Sequence, residues 1–495
     1  MGRRRAPPGR SASLSSWLTS TARTTVSLLK DAPVLLIVIV IAVTAVRIFP
    51  SLFFASSTIN GIELLSVVFD VKKIQNGAVF TSLLESLSVS KQPPLVFLFY
   101  RALLRQQWIA LSALNAVLDG LTTCALCFVV HHNMIWTAKE ESKLETKMPP
   151  CISPRFRFGL SHVSALQKLV VLLYYCNPVC VLTSVSDSMQ PLLHFLLASS
   201  LLLAQLGNAP LSMFLVASAT YMSCWPVALV TPLVLWLHRS AADNLRRHGT
   251  YLVPCLSVGF FAAWLLGLLL LSYAMTGSWD FLELCYGPHL RFEDNTPNVG
   301  LYWYFFAGIF DRFRPFFVSV FHLMPFVFVA PLAFRFASHP TTFAASLLGI
   351  FSVLGPYPTM CSAMFAASVM ATCPQTLCRL RPVSLYSAVA ITVPVTLIRL
   401  DWHLWIQTGA GNANYLYFQT LAYSVFESLI FLDFISAGVV RVKAMSLIKK
   451  DLKKKMFRLK RARAKGQLSS TPKNLVLVDG PATSAAAAAT TTTAT

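Results

Sequence analysis

The residues best suited to bind a polar ligand form a short segment, GAGNAN, between two long apolar runs. Its side-chain amides, Asn412 and Asn414, each donate and accept hydrogen bonds, which suits sugar hydroxyls and phosphate oxygens. Its glycines, Gly411 among them, would let the backbone approach a ligand closely. The pattern is compatible with a head-group site. A plain polar turn between two helices would have the same composition.

Aromatic residues flank this segment and recur in a second one. Trp402 and Trp405, with His403 between them, suit a position at a membrane interface. In the second segment, residues 296–317, phenylalanines recur near helical spacing among charged residues, which predicts a helix lying at the interface. This segment contains Phe310, Asp311 and Phe313. An aromatic belt and a lipid site both explain it.

Side chains for catalysis are sparse. The first predicted luminal loop carries the acids Glu63, Asp70 and Glu85, which are far apart in sequence, and the chain contains no Asp-x-Asp. An enzyme that transfers sugar from a lipid donor usually needs acids there to bind a metal or accept a proton. The adjacent pair Glu293-Asp294 suits a turn or helix cap. We predict no catalysis by this chain, no metal, no cofactor and no disulfide.

The composition requires a membrane. Of the 495 residues, 55% are hydrophobic and 12% are charged, about half the charged share of a soluble domain. We predict an all-α polytopic protein with about twelve spans. The predicted spans are 33–55, 107–130, 163–183, 188–206, 209–223, 225–238, 251–274, 316–336, 341–355, 359–373, 383–400 and 416–440.

The basic residues predict the orientation. The formal net charge of +21 is concentrated at the N-terminus, in alternate loops and in the C-terminal tail, as in a membrane protein rather than a nucleic-acid-binding one. The prediction is a cytosolic N-terminus, 1–32, a membrane domain, 33–440, and a cytosolic tail, 441–495. The luminal loops are then 56–106, 275–315 and 401–415.

Polar residues inside the predicted spans are costly in lipid and need partners. The clearest are Asn115, Asp119, Glu427 and Asp433. Each of them either bonds to a neighbouring helix or lines a polar cavity that takes a head group or another subunit.

Several blocks together resemble the PIG-U family, the polytopic subunit of glycosylphosphatidylinositol (GPI) transamidase. The blocks appear in order over about residues 30 to 440, and the Trp-His-Leu-Trp and Tyr-Trp-Tyr-Phe-Phe motifs are the specific ones. They are NGAVF (76–80), YYCNPV (174–179), SWDFLELCYG (278–287), DNTPN (294–298), GLYWYFFAGIFDRFRPFF (300–317) and WHLWIQTGAGNAN (402–414).

The resemblance implies an endoplasmic reticulum protein with a fold akin to lipid-linked (GT-C) mannosyltransferases. It implies a non-catalytic subunit that recognises the GPI lipid and helps hold the complex together. The partners would include a caspase-like protease subunit, which performs the cleavage, and scaffold subunits. Asn412 and Asn414 match the family's GPI-contacting segment, and the Phe-Asp-x-Phe element, residues 310–313, matches a stretch linked to lipid recognition.

The chain departs from the family pattern at two places. MCSAMFAAS follows Pro358-Thr359 where family members have Gly-Asp, and SVSKQPPLV, 88–96, lacks a His before its Pro-Leu. Two other functions remain as alternatives. An active mannosyltransferase of the same fold would need an acidic pair in the first luminal loop. A secondary transporter would show an internal repeat, and none is evident.

Overall fold

The computed structural model describes residues 41–45, 68–104, 108–145, 160–186, 188–242 and 252–464. Most of the predicted span 33–55, the first part of the loop 56–106 and the Ala/Thr-rich end of the tail lie outside the described residues. Within them the chain forms helices and turns, with one isolated bridge between Asp70 and Ser188. The prediction of an all-α protein is confirmed for this part of the chain.

Residues 41–45 are helical, and the described chain between residues 68 and 242 contains nine α-helices, several of them short. Short π- and 3-10 segments, Val171–Tyr175 and Trp225–Leu229, extend α5 and precede α9. The helices are α1 (Val71–Gly77), α2 (Leu83–Ser90), α3 (Pro94–Leu104), α4 (Trp108–Glu145), α5 (Val163–Val170), α6 (Pro178–Val185), α7 (Gln190–Gln205), α8 (Ala209–Met222) and α9 (Val230–Ala242).

The second half of the described chain ends in one long helix. A π-helical segment, His403–Gln407, continues α19. The helices are α10 (Leu252–Thr276), α11 (Asp280–Leu290), α12 (Trp303–Gly308), α13 (Arg314–Val327), α14 (Val329–Phe336), α15 (Pro340–Leu354), α16 (Met360–Ala371), α17 (Pro374–Leu377), α18 (Pro382–Ala390), α19 (Thr392–Trp402) and α20 (Ala413–Ala464).

Four stretches of the described chain are long and apolar enough to cross a membrane: Leu111–Glu140, Leu252–Thr276, Arg314–Phe336 and Pro382–Gln407. A fifth is possible if α5 with its π extension and α6, which meet at a 44° bend, count as one span. Since a span needs about 20 residues, the 12–16-residue helices at four other predicted spans are too short by themselves. The structure thus supports four or five of the twelve predicted spans.

Burial separates the inner helices from the outer ones. Only 17% of the most apolar window of α10 is buried, against 61% for α4. Exposed side chains on α10 are nevertheless large and apolar, such as Leu266 and Leu270, which suits a helix facing lipid. The closest packing joins α4 to α7, α7 to α8, α8 to α10, and α15 to α16. These helices enclose the core.

The polar residues predicted inside spans bond to neighbouring helices. Asn115 donates to the Ser184 and Ser188 carbonyls at 3.0 and 3.2 Å, and Asp119 accepts from Tyr174 at 2.8 Å. On α20, Glu427 accepts from the hydroxyl of Ser352 at 2.7 Å. These bonds satisfy the Asn115 amide nitrogen and the Asp119 and Glu427 carboxyl groups, which would otherwise be costly in lipid.

The chain divides into two compact units, Met1–Ala444 and Met445–Thr495. The described part of the second unit is the end of α20, residues 445–464. Its exposed residues include Lys453, Lys454 and Arg458 beside Phe457, which is 66% exposed. The boundary lies close to the predicted start of the tail at residue 441.

Candidate functional site

The Gly-rich loop is a tight connection between α19 and α20. The π-helical turn closes with Thr408 N–H donating to the His403 carbonyl, and the amides of Ala410 and Gly411 both donate to the Leu404 carbonyl at 2.9 and 3.0 Å. Gly409 has a φ of +66°, which favours glycine. The loop therefore folds back on the helix that precedes it.

Gly411 serves this fold-back. A Cβ at Gly411 would lie 2.7 Å from the Trp405 backbone nitrogen, whereas one at Gly409 would meet nothing within 4 Å. We expected the glycines to give a ligand access to the backbone. At Gly411 the space that a side chain would need is taken by the chain itself, because the turn presses the loop against the π-helical segment. Gly411 thus has a role in the fold of the loop, and ligand access to the loop backbone stays a prediction.

Asn412 is the N-cap of α20. Its side-chain oxygen accepts from the amide of Asn414 at 2.9 Å, which satisfies one of the unpaired N–H groups at the start of the helix. Asn412 is exposed, and within the described chain no hydrogen bond involves its amide nitrogen. The side chain thus has a structural role through its oxygen and keeps a donor facing outward.

Asn414 connects the two segments that the sequence singled out. The Tyr304 hydroxyl, from α12, donates to the Asn414 side-chain oxygen. The ring of Tyr304 stacks on Tyr417 with centroids 4.6 Å apart, and the Tyr417 hydroxyl donates to the Leu301 carbonyl at 3.1 Å. Tyr304 was missed as a site residue, although it lies in one of the two specific family motifs.

Of the other predicted residues of the loop, His403 is exposed, whereas Trp402 and Trp405 are half-buried and pack against the core. Trp402 and Trp405 lie with ring centroids 6.3 Å apart and planes at 89°. The exposed His403 bonds through Nδ1 to the Gln407 side-chain oxygen at 2.5 Å, one helical turn on. Their positions suit interfacial anchors.

The Phe-Asp-x-Phe element is an exposed turn between α12 and α13. Phe310 is 79% exposed and Phe313 is 53% exposed, with Asp311 also exposed. The Phe313 amide donates to the Phe310 carbonyl at 3.0 Å, which closes the turn. Two large apolar side chains are thus presented on a short polar turn. No direct bond joins them to Asn412 or Asn414 in the described structure.

The single interfacial helix that we predicted over 296–317 does not form. The chain makes the short helix α12, then Ile309 is extended with ψ of 144°, and α13 begins at Arg314. Pro315 occupies the first turn of α13, where its missing N–H is not needed. The phenylalanines of this segment therefore do not share one helix face. Phe306 is buried, at 1% exposed, whereas Phe310 and Phe313 lie on the exposed turn.

Arg314 holds this region together and was also missed. Its guanidinium donates to the Phe292 carbonyl at 2.5 Å, the Asn295 side-chain oxygen at 3.1 Å and the Phe306 carbonyl at 3.1 Å. It also lies 5.6 Å from the centre of the Phe306 ring. An arginine at the start of an apolar span is costly unless it is paired, which is the sequence signal that could have identified it.

The acidic pair before these residues is structural. Asp294 accepts from the Thr296 amide at 3.1 Å and pairs with Lys73 of α1 at 3.1 Å. Burial by itself raises the pKa of the Asp294 carboxyl, but bonds from Thr296 and the charge of Lys73 outweigh it and hold the pKa below its usual value. The turn predicted for Glu293-Asp294 is confirmed.

Two of the acids considered for catalysis, Asp70 and Glu85, belong to different helices, α1 and α2. Asp70 caps α1 by accepting from the Lys72 amide at 2.9 Å, and Glu85 is exposed on α2. Among the described residues no cluster of three His, Cys, Asp or Glu side chains could hold a metal ion. What the region offers is an outward amide, a tyrosine platform and exposed aromatic side chains. These groups can bind a polar head group beside an apolar surface.

Fold and site together define an all-helical polytopic membrane protein with an amide- and aromatic-rich loop pair. A model of the family described as "GPI transamidase subunit PIG-U" matches residues 35–423. The chain therefore belongs to the PIG-U family of GPI transamidase subunits, as the sequence motifs predicted.

Individual relatives agree with this assignment. The human protein named GPI-anchor transamidase component PIGU is 27% identical over 83% of this chain and 94% of its own length. The mouse protein of the same name is 28% identical with the same coverage. GPI transamidase component GAB1 of Saccharomyces cerevisiae is 34% identical over 53% of this chain and 64% of its own length.

Proposed function

We propose that this chain is a non-catalytic subunit of GPI transamidase that recognises the GPI head group at the loop 401–415. It works in the endoplasmic reticulum membrane with both termini in the cytosol, in a twelve-span arrangement akin to that of lipid-linked mannosyltransferases. Its partners are a caspase-like protease subunit, which cleaves the substrate protein, and scaffold subunits. The attachment of GPI anchors to proteins is the activity of the whole complex.

One observation carries this proposal: Asn414 is bonded to the Tyr304 platform while Asn412 caps α20 and keeps an exposed amide donor. A rigid cap and a stacked tyrosine pair hold the two asparagines in one place, which lowers the entropy lost on binding. The donor suits a phosphate or hydroxyl oxygen. Phe310 and Phe313 are exposed on the turn that follows α12, and they provide an apolar surface for lipid.

The test separates binding from helix capping at Asn412. Ser is as good an N-cap as Asn, so Asn412→Ser keeps the cap and removes the amide, while Asn412→Ala removes both. Head-group recognition predicts that both variants lose GPI engagement by about threefold to tenfold, the loss of one hydrogen bond. The measurement is surface GPI-anchored protein in cells lacking the native subunit, together with recovery of the complex.

A second pair of variants tests the platform. Tyr304→Phe removes the hydroxyl that bonds to Asn414, and Asn414→Ala removes its acceptor. If the platform orients Asn414, the two variants reduce surface GPI-anchored protein to a similar extent. Asn208→Ala serves as the matched control, since Asn208 is an exposed N-cap that accepts from the Leu211 amide at 3.2 Å on a different helix. Normal surface levels in Asn412→Ser would refute the head-group role.

A further inference from the structure

A cavity of about 330 Å³ lies among α7, α8, α11, α13, α15 and α16, away from the Gly-rich loop. An apolar cavity of ~150 Å³ already binds benzene, and ligand pockets usually begin at about 300 Å³. This cavity is therefore large enough for a substantial part of a lipid.

The lining is mostly apolar. Aromatic and aliphatic side chains such as Met222, Phe326 and Phe365 form most of it, and no Lys, Arg, Asp or Glu side chain is among the lining residues. A phosphate or ammonium group would lose its hydration there without gaining an opposite charge, which is costly. The cavity therefore selects against charged head groups.

His194 supplies one polar group, and its neighbours determine which nitrogen carries the proton. The Tyr174 hydroxyl donates to Asp119 at 2.8 Å, so its oxygen accepts from His194 Nδ1 at 3.0 Å. His194 is 2% exposed and stacks on Phe365 with centroids 4.4 Å apart. Within the described chain no hydrogen bond involves Nε2, which in the neutral imidazole is an acceptor.

His289 supplies a second acceptor. Its Nε2 donates to the Lys91 carbonyl at 3.3 Å. Desolvation lowers the pKa of His289 to about 4, so the ring is neutral at physiological pH and Nδ1 is an acceptor. No hydrogen bond involves Nδ1 in the part of the chain that the structure describes. The third histidine, His322, faces the carbonyls of Val318 and His289 at 2.9 and 3.3 Å.

We propose that this cavity binds a neutral lipid whose hydroxyl group donates to His194 or His289. The two imidazole acceptors suit a hydroxyl donor. The lining has no Lys, Arg, Asp or Glu side chain to pair with a charged head group, and its apolar walls suit a hydrocarbon skeleton. A sterol and a diacylglycerol share this chemistry. The ligand is thus distinct from the phosphorylated head group proposed for the loop 401–415.

The test uses the intact complex purified in mild detergent, with photoreactive, clickable cholesterol, diacylglycerol and phosphatidic acid as three separate probes. We expect cholesterol or diacylglycerol to label peptides that line the cavity, such as residues 348–365, with competition by the unlabelled lipid. The neutral probe that labels these peptides shows whether the bound lipid is a sterol or a diacylglycerol. Equal or stronger labelling of these peptides by phosphatidic acid, or no labelling by either neutral probe, overturns the proposal.

Variants of two lining residues sharpen the result. His289→Leu removes the acceptor and should reduce labelling by about fivefold, the loss of one hydrogen bond. His289→Gln keeps an acceptor and a donor and should retain most of it. Ser362→Phe reduces the cavity volume and should also lower labelling. Unchanged labelling in both His289→Leu and Ser362→Phe, with the complex recovered normally, would contradict the assignment.

Discussion

At the scale of single residues, the arrangement of the two aromatic loop segments depends on side chains whose partners are distant in sequence. Arg314 joins Phe292, Asn295 and Phe306, and Tyr304 reaches Asn414 across 110 positions. The Arg314 bonds are charge-assisted, and such bonds are about twice as strong as bonds between neutral groups, such as the one from Tyr304 to Asn414. A few residues therefore set the geometry of the loops.

His289 predicts a pH dependence of stability. Its pKa is lowered to about 4 in the folded protein, against about 6.5 for an unfolded histidine. Between these values the unfolded chain binds more protons than the folded one, so stability is fully present above pH 6.5 and is lost as pH falls towards 4. We expect a loss of about 1–2 kcal/mol between pH 7.5 and 5.

The measurement is the thermal midpoint of the purified complex in detergent across this pH range. In His289→Gln the side chain does not titrate, so the loss of stability between pH 7.5 and 5 should be smaller by about 1–2 kcal/mol. An identical slope in the wild type and the variant would show that His289 does not control it.

At the scale of helices, small residues allow close packing within the first unit. A Cβ at Gly349 of α15 would lie 2.6 Å from Cγ of the Phe431 ring on α20, so only glycine permits this approach of the two helices. Small residues at such contacts are a common feature of membrane helix packing.

Gly349→Ala should therefore destabilise the protein even though alanine favours a helix. Overpacking costs about 1–3 kcal/mol, which exceeds the gain of about 1 kcal/mol in helix propensity. Gly267→Ala on α10 is the matched control, because a Cβ there would meet nothing within 4 Å. Thermal unfolding in mild detergent should show a lower midpoint for Gly349→Ala alone. Equal midpoints would mean that the α15–α20 contact relaxes freely.

At the scale of the whole molecule, the exposed apolar helices support a membrane protein, and the distribution of basic residues predicts its orientation. Only 22% of the most apolar window of Pro382–Gln407 is buried. The end of this stretch overlaps the start of the loop 401–415. Since basic residues favour the cytosolic side, this loop is expected on the opposite side from the tail.

A labelling experiment tests the orientation. Ala410 is exposed and has a side chain already, so Ala410→Cys avoids the clash that a side chain at Gly411 would cause. In sealed microsomes a membrane-impermeant thiol reagent should leave this cysteine unmodified until the membrane is opened. Lys453→Cys, in the tail, should react at once. Reaction of Ala410→Cys in sealed membranes would contradict the predicted topology.

Much of the fold was predictable from the sequence because it depends on local patterns. Apolar runs located the helices at most predicted spans, and Asn and Thr caps at Asn177, Asn208 and Thr359 mark where three of the helices begin. The motifs predicted the family. Span lengths were less predictable, since turns at Gly and Pro shorten several helices below the length that crosses a bilayer.

The sequence by itself determined the helical class, the membrane environment and the family, because composition and short motifs carry that information directly. Only the tertiary structure decided that Gly411 packs on its own chain, that Asn414 bonds to Tyr304, and that His194 and His289 line one cavity. These contacts join residues far apart in the chain. No local pattern specifies them, because their partners are chosen by the packing of whole helices.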